Sequence, residues 1–381
     1  MQSYKNNRYF SKNSMEMNEA GDNVKLALPF LAGTLSYSCF SSGIKYDYLA
    51  AGTSMLTLTT FLLLLLWRIG KNSHTRPWNT VLLCLMAFSA GVCTHSVSEL
   101  TDLTGNVSSG DFFKQVGETM QGWIDSMEFN SRNTNAVIKA LLTGNRQDIP
   151  SETLNAFRTS GASHILALSG LHLGIIYMIV SRILSIIGGG PGTKLFKSVA
   201  CILICTTYTF ATGAGASIIR ALIFIMVRET GTLLHRAPDL KTTIASSLII
   251  HLCVFPSDVT SIGFQLSYAA IAGIAWIHPW LESMWLDGED KTLMRRIWES
   301  ASVSISCQLT TGPLAWYYFG AFPQYFMLTN LIALPLTAVI IPTSLLTMSL
   351  HAAGICPDFL TLCTEKLIET LCWTLTVISS I

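Results

Sequence analysis

Residues 327–350 read MLTNLIALPLTAVIIPTSLLTMSL and contain no acidic, basic or histidine side chain. An α-helix needs about 20 predominantly apolar residues to cross the hydrocarbon core of a bilayer. The stretch is therefore long and apolar enough to span a membrane as one helix. Asn330 and Pro335 predict a kink near its start.

Similar apolar runs recur at about residues 26–44, 48–67, 77–97, 163–187, 197–213, 216–235, 242–256, 260–278, 300–319 and 359–381. The chain is 50% hydrophobic and 12% charged, whereas soluble domains carry about 25% charged residues. The mean hydropathy is +0.46. These features exclude a soluble domain and predict an all-α, polytopic α-helical membrane protein. We expect about 9–11 transmembrane helices plus amphipathic interfacial helices.

Clusters of Lys and Arg separate the apolar runs. If successive runs alternate in direction, these clusters all lie on the same side as the basic N-terminal tail; they are 68–76, 194–197, 236–241 and 291–296. The positive-inside rule then predicts a cytoplasmic N-terminus. The predicted segments are a cytosolic tail (1–25), N-terminal transmembrane helices (26–97), an extracytoplasmic segment with amphipathic helices (98–160) and a transmembrane core (161–381).

The formal net charge of +1 excludes a broad basic surface that wraps nucleic acid. A polyanion would have to be bound by a few placed cations. The ten cysteines are scattered and are interpreted as small apolar side chains. The sequence has no Walker loop and no HExxH motif, so neither a cofactor nor a metal is expected.

Polar residues enter one apolar run in the stretch FRTSGASHILALSGLHLGIIY, residues 157–177. His164, Ser169 and His172 lie at or near membrane depth, where polar groups are costly without partners. On a helix, Ser169 and His172 would share a face. Gly170 and Gly174 form a small-residue pair that lets another helix approach. Two interpretations stay open: hydrogen bonds between neighbouring helices, or a conduit lining or catalytic group.

An arginine occupies a second run, in TGAGASIIRALIFIMVRETG, residues 212–231. Gly213 and Gly215 predict a helix break, with a new helix starting near Ser217. Arg220 would then lie inside the apolar run, where its guanidinium could bind an anion such as phosphate. Snorkelling to the interface, or pairing with Glu229, is the alternative.

Two further stretches carry buried polar residues. Gln265 lies in SDVTSIGFQLSYAAIAGIAWIHP, where it either joins two helices or contacts a substrate. Ser304, Gln308 and Thr311 recur at helical spacing and form a polar stripe that faces water or a partner helix. Pro313 predicts a kink or the end of that helix.

Four segments, taken in order, resemble the successive motifs of the ComEC-type competence family over about residues 135–350: SGASHILALSGLHLG, ASIIRALIFIM, GFQLSYAAIAGI and PLAWYYFGAFPQYFMLTNLIALPL. The resemblance implies an inner-membrane channel that passes single-stranded transforming DNA into the cytoplasm during natural competence. The residues at motif positions are His164, Ser169, Gly170, His172, Arg220, Gln265 and Asn330.

The resemblance also implies the bacterial inner membrane as the location. A cytosolic helicase-like motor and a periplasmic DNA-binding protein are the implied partners, and a homo-oligomer is left open. Many family members carry a C-terminal metallo-β-lactamase-like domain with a His-rich zinc motif. This sequence has no such motif, so we expect a short form without nuclease activity. Two alternative functions remain: a small-solute transporter, or an intramembrane hydrolase with Ser169 as nucleophile and His172 as base.

Overall fold

The computed structural model describes residues 26–36, 84–85, 87–92, 94, 110–188, 191–234, 239–284, 293–320 and 326–380. All regular secondary structure in these ranges is helical, which confirms the all-α prediction for this part of the chain. The described residues belong to two compact units. The first lies within Met1–Val107 and Thr230–Gln265, and the second within Ser108–Glu229 and Leu266–Ile381.

The helices, in chain order, are α1 (Leu26–Ser36), α2 (described at 84–85, 87–92 and 94), α3 (Gly110–Asp125), α4 (Arg132–Thr143), α5 (Ser151–Thr159), α6 (Ser163–Leu166), α7 (Gly170–Ser185), α8 (Pro191–Ala211), α9 (Ala216–Leu233), α10 (Leu240–Val254), α11 (Ile262–Ala272), α12 (His278–Glu282), α13 (Leu293–Phe319), α14 (Phe326–Ala352) and α15 (Asp358–Ser379). A 3₁₀ turn (Pro256–Thr260) follows α10, and a π-helical turn (Gly273–Ile277) joins α11 to α12.

Two of these helices are long and apolar enough to cross a bilayer: the segment Gly192–Ala211 of α8 and the segment Leu328–Ala352 of α14. Three others, α1, α7 and α10, are apolar but shorter. The full set of 9–11 transmembrane helices stays a prediction. The predicted run at 48–67 and most of the run at 77–97 lie outside the described residues.

Two glycines allow α1 and α2 to approach each other closely in the first unit. A Cβ at Gly33 of α1 would collide with the backbone of Phe88, and a Cβ at Gly91 of α2 would collide with the backbone of Phe30. The two glycines therefore allow the α1 and α2 backbones to touch. In the same unit, His251 of α10 is fully buried, and its Nε2 lies 3.0 Å from Oδ2 of Asp258 in the 3₁₀ turn.

Helix α4 lies in the middle of the second unit's core. Val137, Ile138 and Leu142 are completely buried, and α4 packs against α3, α6, α14 and α15. Segments before and after residue 160 thus share one apolar core. The core residues include Ile124, Val137, Ile138, Leu141, Leu142, Phe157, Ile165, Leu166, Ala333, Ile340, Ile341, Ile368, Leu371 and Leu375.

Buried charges around α4 are compensated locally. Lys139 Nζ lies 2.5 Å from Asp125 Oδ1 and 2.7 Å from Asp148 Oδ2. Burial lowers the pKa of Lys139, but hydrogen bonds and the charges of Asp125 and Asp148 outweigh it, so its pKa is raised. At the other end of α4, the buried carboxylate of Glu365 accepts hydrogen bonds of 2.9 Å from Ser131 N–H and from Asn130 Nδ2.

The structure tests the predictions made at glycines and prolines. A helix break at 212–215 is confirmed, with Gly213 at φ +88° between α8 and α9. Pro313 does not end its helix, because α13 continues to Phe319, and Pro335 likewise lies inside the continuous α14. Proline is tolerated there if neighbouring groups satisfy the freed carbonyl.

The π-helical turn packs against α13 at its first residue. A Cβ at Gly273 would collide with the carbonyl of Ser306 and lie 2.7 Å from Thr310 Oγ1, whereas a Cβ at Gly263 of α11 would have nothing within 4 Å. Gly273 therefore permits a backbone approach that other residues would block.

We expect Gly273→Ala to destabilise the protein by about 1–3 kcal/mol, because the added methyl group must push the π turn away from α13. The matched control, Gly263→Ala, should leave the unfolding midpoint of the detergent-purified protein unchanged. Equal midpoints for both variants would contradict the close packing at Gly273.

Candidate functional site

The apolar run 163–187 is not one helix, which corrects the expectation that Ser169 and His172 share a helical face. Gly161 has φ +81° and forms the predicted turn, α6 covers Ser163–Leu166, and Ala167 is extended with φ −78° and ψ 128°. Helix α7 then begins at Gly170. The helix break therefore covers residues 167–169, between two apolar helical pieces.

Ser169 and His172 form a capping box at the start of α7. Ser169 Oγ accepts from the Leu171 N–H at 3.2 Å and lies 2.9 Å from His172 Nδ1, and Nδ1 also accepts the Ser169 N–H at 3.2 Å. The two side chains thereby satisfy N–H groups that a helix start leaves free. Ser169 and His172, the second histidine of the motif, are thus held together by local geometry.

Arg220 packs against this helix start from α9. A Cβ at Gly170 would lie 3.1 Å from Arg220 Nη2 and 3.3 Å from Ala221 Cβ, so Gly170 makes room for the guanidinium. Gly174 has no such neighbour within 4 Å. Of the predicted small-residue pair, only Gly170 therefore allows another helix to approach closely.

The rest of the Arg220 side chain is tied to α11. Its Nη1 donates to the Ser267 carbonyl at 2.7 Å, and its guanidinium lies 5.9 Å from the centroid of the Tyr268 ring. The predicted alternative, pairing with Glu229, is wrong. The Glu229 carboxylate instead accepts hydrogen bonds from the hydroxyls of Tyr177 and Ser198.

His164 and Asn330 lie around the turn that precedes α6. His164 is exposed, and its Nδ1 lies 3.1 Å from the Gly161 carbonyl. Thr329, at the start of α14, donates to the Ser160 carbonyl at 2.7 Å, which brings its neighbour Asn330 to the same turn. Four of the seven predicted residues thus lie at the start of α7, namely Ser169, Gly170, His172 and Arg220, whereas His164 and Thr329, the neighbour of Asn330, contact the turn before α6.

Gln265 belongs to the first compact unit. Its Nε2 donates to the Val259 carbonyl at 3.1 Å and so links α11 to the 3₁₀ turn before it. Of the polar stripe on α13, Ser304 is buried, and Gln308 Nε2 is a buried atom without a partner among the described residues.

Two buried donors at the helix break have no partner among the described residues: His172 Nε2 and Arg220 Nε. His172 Nδ1 accepts the Ser169 N–H, so the hydrogen of the neutral ring lies on Nε2. Both atoms therefore offer N–H groups, which suit an anion and not a cation. No group of three His, Cys, Asp or Glu side chains among the described residues could hold a metal ion.

Sequence reasoning missed Arg146, which lies just after α4. Its Nε donates to the carbonyl of Leu166, the last residue of α6, at 3.1 Å. The Gly144–Arg146 loop also touches the helix break, because a Cβ at Gly144 would lie 2.7 Å from Leu168 Cδ1. Residues 141–148 read LLTGNRQD and precede the first of the four motif segments. Their one basic residue was the available signal.

Comparisons with known proteins find a matching family model and two similar relatives. The model of a family described as "Competence protein" matches residues 141–381. ComE operon protein 3 of Bacillus subtilis (strain 168) is 28% identical over 210 residues, which are 55% of this chain and 25% of that protein. An uncharacterized protein, YcaI of Escherichia coli (strain K12), is 24% identical over 228 residues, which are 58% of this chain and 30% of that protein. The alignments thus cover less than a third of either relative, and no solved structure matches.

We expect Ser169→Ala to lower stability by about 1 kcal/mol, because the α7 N–H groups lose their side-chain acceptor. Ser169→Thr should retain the cap. Ser283→Ala is the control, since that exposed hydroxyl only donates to the Trp280 carbonyl within its own helix. Thermal unfolding of purified protein measures the difference, and a stability loss as small as that of Ser283→Ala would argue against the capping box.

Proposed function

The chain belongs to the competence protein family, and from that membership we propose that it forms a conduit for single-stranded transforming DNA across the bacterial inner membrane. The apolar helices supply the membrane-embedded body of the conduit. The polar residues at the helix break supply its lining. In this proposal the N-terminus is cytoplasmic, and the strand is delivered by a periplasmic DNA-binding protein and drawn in by a cytosolic helicase-like motor.

One observation carries the proposal: the break at 167–169 lies between two apolar helical pieces and has a cation beside it. Irregular backbone is tolerated inside a membrane where protein buries it or where it lines a water-filled cavity. The start of a helix favours negative charge, because its N–H groups and dipole point outward. Half-helices of this kind face anionic substrates in transport proteins. The start of α7, with Arg220 beside Gly170, has the features of such a site.

A DNA strand presents one phosphate charge per nucleotide, and the donors at the break match that chemistry. His172 Nε2–H and Arg220 Nε–H are unused, and a guanidinium binds phosphate strongly. Both side chains are buried, with 1% and 6% of their surface exposed. In the proposed conduit a phosphate therefore reaches these two side chains only after the packing around them opens.

Three other motif residues are more accessible and are proposed to line the path. His164 is exposed, while Ser169 and Asn330 are partly buried. Imidazole and amide groups can hydrogen-bond to bases or phosphates without fixing a sequence, which suits a conduit that accepts any strand. A role for Gln265 in shaping the path stays a prediction.

A hydrolase is a second candidate, because Ser169 Oγ lies 2.9 Å from His172 Nδ1. The geometry suits a nucleophile and a base. However, the same nitrogen also accepts the Ser169 N–H, and no described carboxylate binds Nε2. A fluorophosphonate probe distinguishes the two functions, since covalent labelling that is lost in Ser169→Ala would favour the enzyme.

We expect Arg220→Ala to lower transformation frequency at least about tenfold, because a charged hydrogen bond to phosphate contributes about 1.5–3 kcal/mol. The assay is complementation of a competent host that lacks its own channel gene, with membrane abundance measured in parallel. Arg228→Ala on the same helix is the control, since Arg228 is exposed and lies over the Tyr177 ring. A parallel fall of abundance and transformation would assign Arg220 a structural role instead.

A further inference from the structure

The loop that carries Arg146 is held firmly in place. Gly144 ends α4 with φ +77°, and its N–H donates to the Ala140 carbonyl at 3.0 Å. Asn145 donates from Nδ2 to Gln121 Oε1 at 3.1 Å and accepts the Gln147 N–H at 3.1 Å. The backbone around Arg146 is thus fixed by contacts on both sides, so the position of the side chain is fixed at its base.

The Arg146 side chain is anchored at one edge and open at the other. Its Nε donates to the Leu166 carbonyl at 3.1 Å, which places the guanidinium where α6 ends and the helix break begins. The side chain is nevertheless exposed, and neither Nη atom has a hydrogen bond to a described residue. The edge formed by the two Nη groups is therefore available to a ligand.

The charge of Arg146 is not neutralised by its acidic neighbours. Asp148, two residues away, is paired with Lys139, and so is Asp125. Among the described residues, no carboxylate lies within ion-pair distance of Arg146. An anchored arginine without a carboxylate partner binds a planar pair of anionic oxygens well, because little side-chain freedom is lost on binding.

We propose that Arg146 is a phosphate-binding residue at the entrance of the helix break, and that its ligand is a phosphodiester group of single-stranded nucleic acid. The inference rests on the proposed function, which supplies the strand. Arg146 is exposed while Arg220 is buried, so Arg146 contacts a phosphate before Arg220 does. Two cations thus lie beside the break: Arg146 is exposed to solvent, and Arg220 is buried.

A purely structural role for Arg146 makes a different prediction. If it only caps the Leu166 carbonyl, its replacement lowers stability but leaves the salt dependence of strand binding unchanged. If it binds a phosphate, its replacement removes one counterion-releasing contact. For single strands each such contact contributes about −0.7 to the slope of log affinity against log salt concentration.

The test is binding of a fluorescent thymidine oligonucleotide to the purified full chain in detergent, at several salt concentrations. The proteins are the wild type, Arg146→Gln, Arg146→Lys and the control Arg158→Gln, which removes an exposed charge from α5. We expect Arg146→Gln to lose affinity about tenfold and to reduce the salt slope by about 0.7. Arg146→Lys should lose affinity and keep the slope, and Arg158→Gln should match the wild type.

The outcomes separate this inference from the proposed function. No binding by the folded wild type would contradict the conduit itself. Wild-type binding with an unchanged slope in Arg146→Gln would overturn the role of Arg146 and leave the conduit standing. If Arg146→Gln fails to fold, Arg146→Lys decides, because wild-type affinity in that variant would also overturn the proposal.

Discussion

A helix that breaks inside apolar surroundings frees polar backbone groups, and each of them needs a partner. At residues 167–169 these partners come both from the break itself and from distant parts of the chain. Arg146 binds the last carbonyl of α6, and the Ser169–His172 box caps the first N–H groups of α7. Arg220 of α9 fills the space that Gly170 leaves open. The partners of the break thus come from the loop after α4, from the start of α7 and from α9.

Most charged groups near the core of the second unit also have partners. Its acidic side chains near the core are already bound: Asp125 and Asp148 by Lys139, and Glu365 by Asn130 and the Ser131 N–H. Arg146 and Arg220 have no carboxylate partner among the described residues. A chain with a net charge of only +1 thus leaves two cations unneutralised at one place. For a polyanion, placement matters more than total charge, because each phosphate is contacted singly.

Much of this arrangement was predictable from sequence. The polar residues in apolar runs pointed to His164, Ser169, His172 and Arg220, and the glycines predicted the break at 212–215. The break at 167–169 was not predicted, because the polar residues of the run 163–187 recur at helical spacing and were assigned to one helix face. Its causes are a local cap, formed by Ser169 and His172, and a tertiary contact from Arg146, which is 20 residues from Leu166 in sequence. Pro313 does not end its helix, because α13 continues to Phe319.

The measurement that tests the proposed conduit most directly is cross-linking of a strand in transit. His164 is replaced by the photoreactive p-benzoylphenylalanine in cells whose transformation depends on this chain. Labelled DNA is supplied to the cells before irradiation. The control position is Trp373 on α15, which is 68% exposed on the outside of the second unit. We predict a cross-link to single-stranded DNA from position 164 and none from position 373. Active transformation with no cross-link at 164, or with equal cross-links at both positions, would contradict a path along the helix break.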